Sequence, residues 1–339
     1  MKAPPKRLLL VKPSSFGDIV QSLAVLAPLR RTWPEARVDW LVKDEWAGLL
    51  ERHPLIDSLL VFPEAPRQWP GFFRALRRGG YDAVIDLQGL FRSGIIARAT
   101  GAPLRAGFAD GREGSPWCYT RRVSACSTHA VDRYLELIRG LGIPTAEPVT
   151  FPLPAWEAED RWAEQFVPAR GFLCLIHPAA RWPNKLWPAE RYGELADWLV
   201  RARSCKVVFV AGKAEADQAA RAAACMRAPA INLAGQTTLP QLGALVRRAA
   251  MLVTNDSGPM HLAAAAGTPV VAIFGPTDPA KVGPYGSRKI VLKKEFDCSR
   301  CRRGRCARAL ECLRLVTVED VKEAVRRLTE EEFFRARVP

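Results

Sequence analysis

The chain has 339 residues, of which 48% are hydrophobic and 25% charged, a balance typical of a folded protein with room for two domains. No apolar run reaches the roughly 18 residues of a spanning helix, and the run at residues 8–11 is too short for a signal peptide, so we expect a cytoplasmic protein. The net charge of +15 favours an anionic partner, and nucleic acid, anionic lipid and an anionic substrate all stay open.

The first half of the chain alternates predicted strands and helices. Strands are predicted at residues 8–12, 38–42, 59–62, 83–87 and 106–108, and helices at 18–31, 46–51, 72–78, 91–100 and 130–141. This alternation is typical of a parallel, doubly wound α/β sheet. A Pro-rich stretch at 142–154 predicts a linker, so the first domain is placed at residues 1–150.

The same pattern restarts after the linker. Strands are predicted at 172–176, 206–210, 231–233, 251–254, 270–274 and 290–292, and helices at 189–202, 215–225, 239–250, 260–266 and 318–334. We therefore predict a second domain of the same architecture at residues 151–316, followed by a final helical segment at 317–339.

The turn after the first strand reads Lys12-Pro-Ser-Ser-Phe-Gly-Asp18. It lacks the Gly-x-Gly-x-x-Gly fingerprint, which argues against a nicotinamide or flavin dinucleotide. It places Ser14, Ser15 and Asp18 at one edge of the sheet, where a carboxylate can act as a general base toward a hydroxyl. The structural alternative is that Asp18 is simply an acid in the first turn of a helix.

The second half contains a strand, a turn and a small-residue helix at residues 251–266. A helix that begins at such a turn offers free backbone N–H groups and a positive dipole end to a phosphate, and Asp256 is predicted beside it. The alternative is an ordinary turn in which Asp256 or Ser257 caps the helix. Lys185 follows another strand and suits a phosphate, or it is a surface lysine. Glu215 also follows a strand and suits a ribose, or it is an acid at the start of a helix. Thr237 or Thr238 precedes the next helix.

Two further clusters carry chemistry. Ten arginines and no lysine lie between Glu64 and Arg122, and Arg67, Arg74, Arg77 and Arg78 follow the third strand, where they predict anion binding or form a solvated surface. Four cysteines are spaced as Cys298-x2-Cys301-x4-Cys306-x5-Cys312. That spacing suits a tetrahedral Zn²⁺, while disulfides and reduced thiols stay open.

Several motifs taken together resemble the bacterial ADP-heptose:lipopolysaccharide heptosyltransferases of glycosyltransferase family 9. They are the turn at 12–18, Tyr-Asp-Ala-Val-Ile-Asp-Leu-Gln-Gly-Leu at 81–90, the His-Pro…Lys-x-Trp-Pro segment at 177–188, Gly-Gln-Thr-Thr-Leu at 235–239, Asn-Asp-Ser-Gly-Pro-Met-His-Leu at 255–262 and Phe-Gly-Pro-Thr-Asp-Pro at 274–279. They occur in the family's order across nearly the whole chain. The first turn is more similar to heptosyltransferase I than to heptosyltransferase II.

The resemblance implies a GT-B fold, in which two Rossmann-like domains face a central cleft and the last helix packs back on the first domain. It implies that Asp18 is the catalytic base and that the donor site comprises Lys185, Glu215, Thr237, Asp256, Ser257, Gly258 and His261. One departure from the family is Ala179, where a glycine commonly follows His-Pro.

The implied partners are ADP-heptose and a Kdo-lipid A or inner-core lipopolysaccharide precursor, reached from the cytoplasmic face of the inner membrane. No cofactor is expected for catalysis, because Lys185 and a helix N-terminus can meet the diphosphate charge. An Arg-rich first half suits the anionic acceptor. The alternatives are another GT-B transferase with a different nucleotide sugar and a basic nucleic-acid-binding protein, although we expect no nucleic acid because no aromatic-rich binding motif is present.

Overall fold

A computed structural model describes residues 4–296, 301, 306, 308 and 310–335, with side chains described up to residue 330. Its internal contacts divide the chain into two compact units, Met1–Ala155 and Trp156–Pro339. Each unit contains one six-stranded parallel sheet with helices packed on it. This organisation confirms the predicted doubly wound α/β class.

The first sheet has the strand order β3-β2-β1-β4-β5-β6. Residues 8–11 of β1 are fully buried, as expected for a parallel strand with helices on both faces. The strands are β1 (Arg7–Val11), β2 (Arg37–Lys43), β3 (Ser58–Phe62), β4 (Ala83–Asp86), β5 (Leu104–Phe108) and β6 (Arg121–Val123). The helices are α1 (Phe16–Ser22), α2 (Leu26–Thr32), α3 (Asp44–Ala47), α4 (Trp69–Arg78), α5 (Phe91–Ala99) and α6 (Ala130–Arg139).

The second sheet repeats that winding in the order β12-β11-β10-β7-β8-β9. Its strands are β7 (Phe172–His177), β8 (Cys205–Phe209), β9 (Ile231–Asn232), β10 (Met251–Asn255), β11 (Val270–Ile273) and β12 (Lys289–Leu292). The helices are α7 (Glu157–Ala163), α8 (Ala189–Arg203), α9 (Ala216–Ala224), α10 (Leu239–Arg248), α11 (Gly258–Ala266), α12 (Pro279–Val282), α13 (Glu311–Arg314) and α14 (Val318–Arg335).

Several details differ from the sequence prediction. The helix predicted at 18–31 is two helices, α1 and α2, joined by a 3-10 turn at Leu23–Val25. The strand β6 and the helices α7, α12 and α13 were not predicted. The strand β6 has only three residues, α12 and α13 have four each, and α7 is mostly polar.

The last helix, α14, is part of the second unit. It packs on α8, β11 and β12, and Val321, Val325 and Leu328 join the core of that unit. Residues 318–335 are therefore described with the second unit. Packing of this helix on the first domain, which the resemblance implied, stays a prediction.

Candidate active site

A cavity of about 310 Å³ lies in the first unit at the carboxyl edge of the sheet. The winding direction of the chain reverses between β1 and β4, and ligands of open α/β sheets bind at such a switch point. The turns after β1, β4 and β5 form the walls together with α6. The lining residues are Lys12, Asp18, Leu87, Gln88, Gly89, Phe108, Asp110, Gly111, Arg112, Ala130, Arg133 and Tyr134.

The predicted base, Asp18, lines this cavity from the first turn of α1. Its Oδ2 accepts hydrogen bonds from the backbone N–H of Ser15 at 3.1 Å and from the Ser15 hydroxyl at 2.7 Å. The structural alternative is thus correct in part, because the carboxylate does cap the helix. The same bonds hold the carboxylate in place on the cavity wall. Ser14 and Ser15 lie on the same turn, beside Asp18.

Lys12 is a cavity residue to which the sequence assigned no role. It directly follows β1, is only 3% exposed, and donates a hydrogen bond from Nζ to the carbonyl of Leu87 at 3.2 Å. Burial lowers the pKa of its ammonium, but Tyr134, Asp18 and Asp86 together raise the pKa above its usual value. Lys12 therefore supplies a fixed positive charge close to Asp18.

Asp86 supports the turn after β4, which forms one wall of the cavity. This fully buried carboxylate ends β4, accepts hydrogen bonds from the N–H groups of Gln88 and Gly89, and accepts another from the Tyr119 hydroxyl at 2.7 Å. Burial raises the pKa of Asp86. The bonds hold the turn after β4, whose residues Gln88 and Gly89 line the cavity. We infer that Asp86 is a positioning residue.

The acceptor role of Arg67, Arg74, Arg77 and Arg78 stays a prediction, and the structure places these arginines at different heights along the sheet. A helix after a parallel strand runs back toward the amino edge of the sheet, and the ten residues of α4 span about 15 Å. Arg67 precedes α4 and lies near the carboxyl edge, and Arg74 lies midway. Arg77 and Arg78 are on the last turn, and the Arg77 guanidinium occupies the space that a Cβ on Gly101 would need.

Two other arginines line the cavity instead. Arg112 is exposed on the turn after β5. Arg133, on α6, contacts both carboxylate oxygens of Asp110 at 2.7 and 2.8 Å and lies over the ring of Phe108. The cavity is therefore lined by three cations, Lys12, Arg112 and Arg133.

In the second unit, Lys185 and Asp256 form an ion pair. The distance from Lys185 Nζ to Asp256 Oδ2 is 2.6 Å, and the same oxygen accepts a hydrogen bond from Thr277 at 2.5 Å. Their side chains are 20% and 6% exposed, respectively. The pair lies at the switch point of the second sheet, because Lys185 belongs to the segment after β7 and Asp256 directly follows β10.

Hydrogen bonds among Ser257, Thr254 and His177 support the start of α11. The Ser257 hydroxyl lies 2.9 Å from Thr254 Oγ1 and 3.2 Å from His177 Nδ1. Burial lowers the pKa of His177 to about 4, so its imidazole is neutral at neutral pH. Ser257 is the residue before α11, Gly258 is its first residue, and His261 is buried in the same first turns. These positions place backbone N–H groups beside the ion pair.

Asn255 ties the Lys185 segment to β10. Its Oδ1 accepts hydrogen bonds from the backbone N–H of Trp187 at 3.1 Å and from the Tyr192 hydroxyl at 2.9 Å. Ala179 of the same segment is fully buried among Ala211, Ala219 and Ala234. The extra methyl at position 179 is therefore part of a packed cluster.

Glu215 and Thr237 lie on neighbouring turns farther along the sheet. Glu215 ends a 3-10 turn after β8, and both side chains are partly exposed. The backbone N–H of Gly235 donates to the carbonyl of Ala211 at 2.9 Å, which joins the two turns. Thr238 is the N-cap of α10 and accepts from the N–H of Gln241, so Thr237 is not used as the cap.

Of the four clustered cysteines, Cys298 lies outside the described residues. Cys301, Cys306 and Cys312 are partly buried, and the sulfur of Cys301 accepts a hydrogen bond from Asn184 at 3.7 Å. Within the described ranges no group of three or more His, Cys, Asp or Glu side chains is placed to hold a metal. Cys301 nonetheless adjoins the Lys185 segment, because its partner Asn184 is the neighbour of Lys185.

Comparisons with known proteins extend over both units. A sequence model described as glycosyltransferase family 9 (heptosyltransferase) matches residues 69–310. Lipopolysaccharide heptosyltransferase 1 of Pseudomonas aeruginosa is 31% identical over 328 residues, which cover 88% of this chain and 87% of that protein. Lipopolysaccharide core heptosyltransferase OpsX of Haemophilus influenzae is 28% identical over 291 residues, covering 84% of this chain and 83% of that protein.

A solved structure shows the same architecture. The ADP-heptose lipopolysaccharide heptosyltransferase II of Escherichia coli matches with a TM-score of 0.81 and 25% identity, covering 96% of this chain and 99% of that chain. The similarity therefore extends over both six-stranded sheets.

Proposed function

Because the chain belongs to glycosyltransferase family 9, the heptosyltransferases, we propose that it transfers heptose from ADP-heptose to the Kdo region of a lipopolysaccharide precursor, with inversion at the anomeric carbon. The observation that carries this proposal is the placement of Asp18 on a cavity of the first unit that is lined by three cations. A base for a hydroxyl and positive charge for an anionic acceptor are what this reaction requires.

On the acceptor side, Asp18 takes the proton of the attacking hydroxyl. The hydroxyl oxygen forms a bond to the anomeric carbon of the heptose, and the bond from that carbon to the β-phosphate oxygen breaks. ADP leaves with the electron pair. The two hydrogen bonds from Ser15 hold the carboxylate, and Lys12 stabilises its ionised form by its charge.

On the donor side, Lys185 and the N-terminus of α11 meet the charge that grows on the diphosphate. We propose that this positive charge makes a catalytic metal unnecessary. Asp256 binds the heptose, Glu215 the ribose and Thr237 the adenine edge. Ser257, Gly258 and His261 form the phosphate-binding turn. Since Lys185 is paired with Asp256 at 2.6 Å, donor binding exchanges this ion pair for contacts to phosphate and sugar.

The experiment that tests the function has two stages. A thermal-shift panel compares ADP-heptose, ADP, UDP-sugars and GDP-sugars, and mass spectrometry then follows transfer of one heptose to Kdo-lipid A. Of these ligands, only ADP-heptose and ADP are expected to raise the melting temperature. A larger shift with a UDP- or GDP-sugar would support a different GT-B transferase, and salt-dependent retention on DNA would support the nucleic-acid alternative.

A first prediction concerns the acceptor cavity. The double substitution Arg112→Gln/Arg133→Gln is expected to raise the acceptor KM by about tenfold or more, because each charge-assisted hydrogen bond that is lost weakens binding. The KM for ADP-heptose is expected to stay unchanged, since the proposed donor residues belong to the second unit. Acceptor affinity is also expected to fall as salt rises.

Arg77→Gln is the matched control, because Arg77 lies against Gly101 at the other end of α4. It is expected to leave the acceptor KM unchanged. If Arg77→Gln raised the acceptor KM more than the cavity substitutions did, the arginines of α4 would be the acceptor site. Arg67 and Arg74 remain candidates at the carboxyl edge and are tested in the same assay.

A second prediction concerns the cysteine cluster. We propose one structural Zn²⁺ held by Cys298, Cys301, Cys306 and Cys312, supported by N–H donors on two of the sulfurs, from Asn184 to Cys301 and from Leu310 to Cys306 at 3.4 Å. Elemental analysis of the full chain is expected to find about one metal ion per chain, and chelation is expected to lower the melting temperature.

Cys301→Ser is expected to lose the metal, while Cys225→Ser, at an exposed cysteine elsewhere, is expected to keep it. The elemental analysis also identifies which metal is bound. A chain purified from zinc-supplemented cells without any bound metal would contradict the proposal and leave thiols or disulfides.

We also propose that the protein works in the cytoplasm at the inner membrane, where its lipid acceptor is made. In the part of the chain that the structure describes, no helix is long and apolar enough to cross a membrane.

A further inference from the structure

Three large apolar side chains are exposed next to the cavity of the first unit. Trp117, on the 3-10 turn Ser115–Cys118, is 78% exposed, and Phe91 and Ile95 of α5 are 45% and 39% exposed. Phe91, Ile95 and Arg98 are spaced at i, i+4 and i+7, so they share one face of α5. Isolated exposed apolar residues are ordinary, but several on adjoining elements mark an interaction site.

The two elements are packed closely together. A Cβ on Gly94 would lie 3.1 Å from the Cβ of Cys118 and 3.3 Å from the carbonyl oxygen of Ser115. Glycine at position 94 therefore lets the 3-10 turn rest directly on α5. Trp117 and the exposed face of α5 thus lie on adjoining elements. Together these elements carry what we call the α5–Trp117 surface, comprising Phe91, Arg92, Ile95, Arg98, Arg112 and Trp117.

This surface is strongly basic. Residues 87–124 contain six arginines and two carboxylates, Asp110 and Glu113. Asp110 is paired with Arg133. Glu113, the neighbour of Arg112, is the other acid of this stretch. Among the described residues, the exposed guanidinium groups of Arg92 and Arg98 have no carboxylate within salt-bridge distance. The exposed aromatic and aliphatic groups are thus flanked by cations available to an anionic partner.

The α5–Trp117 surface borders the cavity that contains Asp18. Gly89 lines the cavity two residues before Phe91, and Arg112 lines it from the other side. The backbone N–H of Arg112 donates to the carbonyl of Gly89 at 2.9 Å, and the N–H of Ser115 donates to the carbonyl of Arg112 at 3.0 Å. A partner bound to the surface would therefore lie beside the cavity.

We propose that the α5–Trp117 surface docks on an anionic lipid bilayer. Trp117, Phe91 and Ile95 enter the interfacial layer, where tryptophan is favoured, and Arg92 and Arg98 bind lipid phosphates. The inference rests on the proposed function, because docking here would bring a lipid-borne acceptor to the cavity of Asp18. A bilayer suits the surface better than a second copy, since a symmetric dimer would set arginines against arginines.

The test is co-sedimentation of the full chain with vesicles of phosphatidylethanolamine and phosphatidylglycerol, compared with phosphatidylcholine alone. Wild type is expected to bind the anionic vesicles, and less well as salt rises. Trp117→Ala is expected to lower the partition coefficient about tenfold, because a large apolar side chain no longer enters the interface. Arg92→Gln/Arg98→Gln is expected to lower it about 25-fold, at about fivefold for each charge.

Matched controls exist elsewhere on the chain. Phe172→Ala removes an aromatic side chain that is 54% exposed at the amino end of β7, and Arg221→Gln removes an exposed charge on α9. Both are expected to bind vesicles like wild type. Equal binding by the Trp117 and control variants would overturn the proposal, as would a wild type that does not bind anionic vesicles, or a Trp117→Ala variant that instead dissociates a dimer in sedimentation velocity.

A second measurement separates this inference from the proposed function. Trp117→Ala is expected to retain wild-type turnover on a Kdo oligosaccharide without acyl chains and to show turnover reduced by up to about tenfold on vesicle-borne acceptor. Specific vesicle binding without any heptose transfer would overturn the proposed function and leave the docking surface standing. If heptose were transferred but the substitutions left vesicle binding unchanged, only the docking surface would be overturned.

Discussion

Asp18→Asn is expected to reduce turnover by about 10²-fold to 10⁴-fold, the range for loss of a general base. The amide cannot take the proton of the acceptor hydroxyl, but its oxygen can still accept the two hydrogen bonds from Ser15 that begin α1. The fold should therefore be kept, and binding of ADP and ADP-heptose should be nearly unchanged. Asp18→Ala should show the same loss of turnover together with a lower melting temperature, since it also removes the cap.

Asp110→Asn is the comparison for this result. Asp110 is a carboxylate of the same cavity, but both of its oxygens contact Arg133, so it is engaged and is not offered to a hydroxyl. Its substitution is expected to reduce turnover less than tenfold. If Asp18→Asn kept turnover within a few-fold of wild type, or if Asp110→Asn proved the more damaging, Asp18 would be only a helix cap and the base would have to be sought elsewhere.

The second large effect is expected in the donor site. Lys185→Ala should weaken ADP binding by about 10-fold to 100-fold, the equivalent of one lost hydrogen bond to a charged group. Asp256→Asn should raise the KM for ADP-heptose by about tenfold while leaving ADP binding unchanged or tighter. ADP binding does not weaken because the substitution frees Lys185 from its partner at 2.6 Å. The KM for ADP-heptose rises because the neutral side chain binds the heptose less well.

Calorimetry with ADP and kinetics with ADP-heptose distinguish the two roles. The melting temperature adds an independent check, because Lys185→Ala leaves the nearly buried Asp256 carboxylate without its ammonium. Lys185→Ala/Asp256→Asn is therefore expected to be more stable than Lys185→Ala alone. Weaker ADP binding by Asp256→Asn than by Lys185→Ala would reverse the assignment of phosphate and sugar.

The amino-acid sequence by itself determined the family, the GT-B fold class and most of the secondary structure. All three are confirmed by the family match, by the two six-stranded sheets and by the match to the E. coli enzyme. The family and the GT-B class come from the resemblance of the motifs, whereas the secondary structure could be predicted because buried parallel strands appear as continuous apolar runs and amphipathic helices have their own period. Asp18 could be located at the start of a helix and Asp256 at the end of a strand, because a strand, a turn and a helix form a local unit.

The position of Arg77 and Arg78 was decided by the direction of α4. Their proximity in sequence to Arg67 suggested one site, but a helix that returns along the sheet carries its last turn to the opposite edge. Lys12 was missed for a related reason. A lysine at a strand end is usually exposed, and its burial depends on Tyr134 and Leu87, which arrive from distant parts of the chain.

Only the tertiary structure decided which side chains meet. Lys185 and Asp256 are 71 residues apart, and they pair because β7 and β10 are hydrogen-bonded neighbours in the second sheet. Likewise, β1 and β4 are neighbours in the first sheet, so the turns that follow them bring Asp18 and Gln88 to one cavity. Strand order depends on long-range hydrogen bonding and packing between segments, and the local period of a sequence contains no information on which strands will be adjacent.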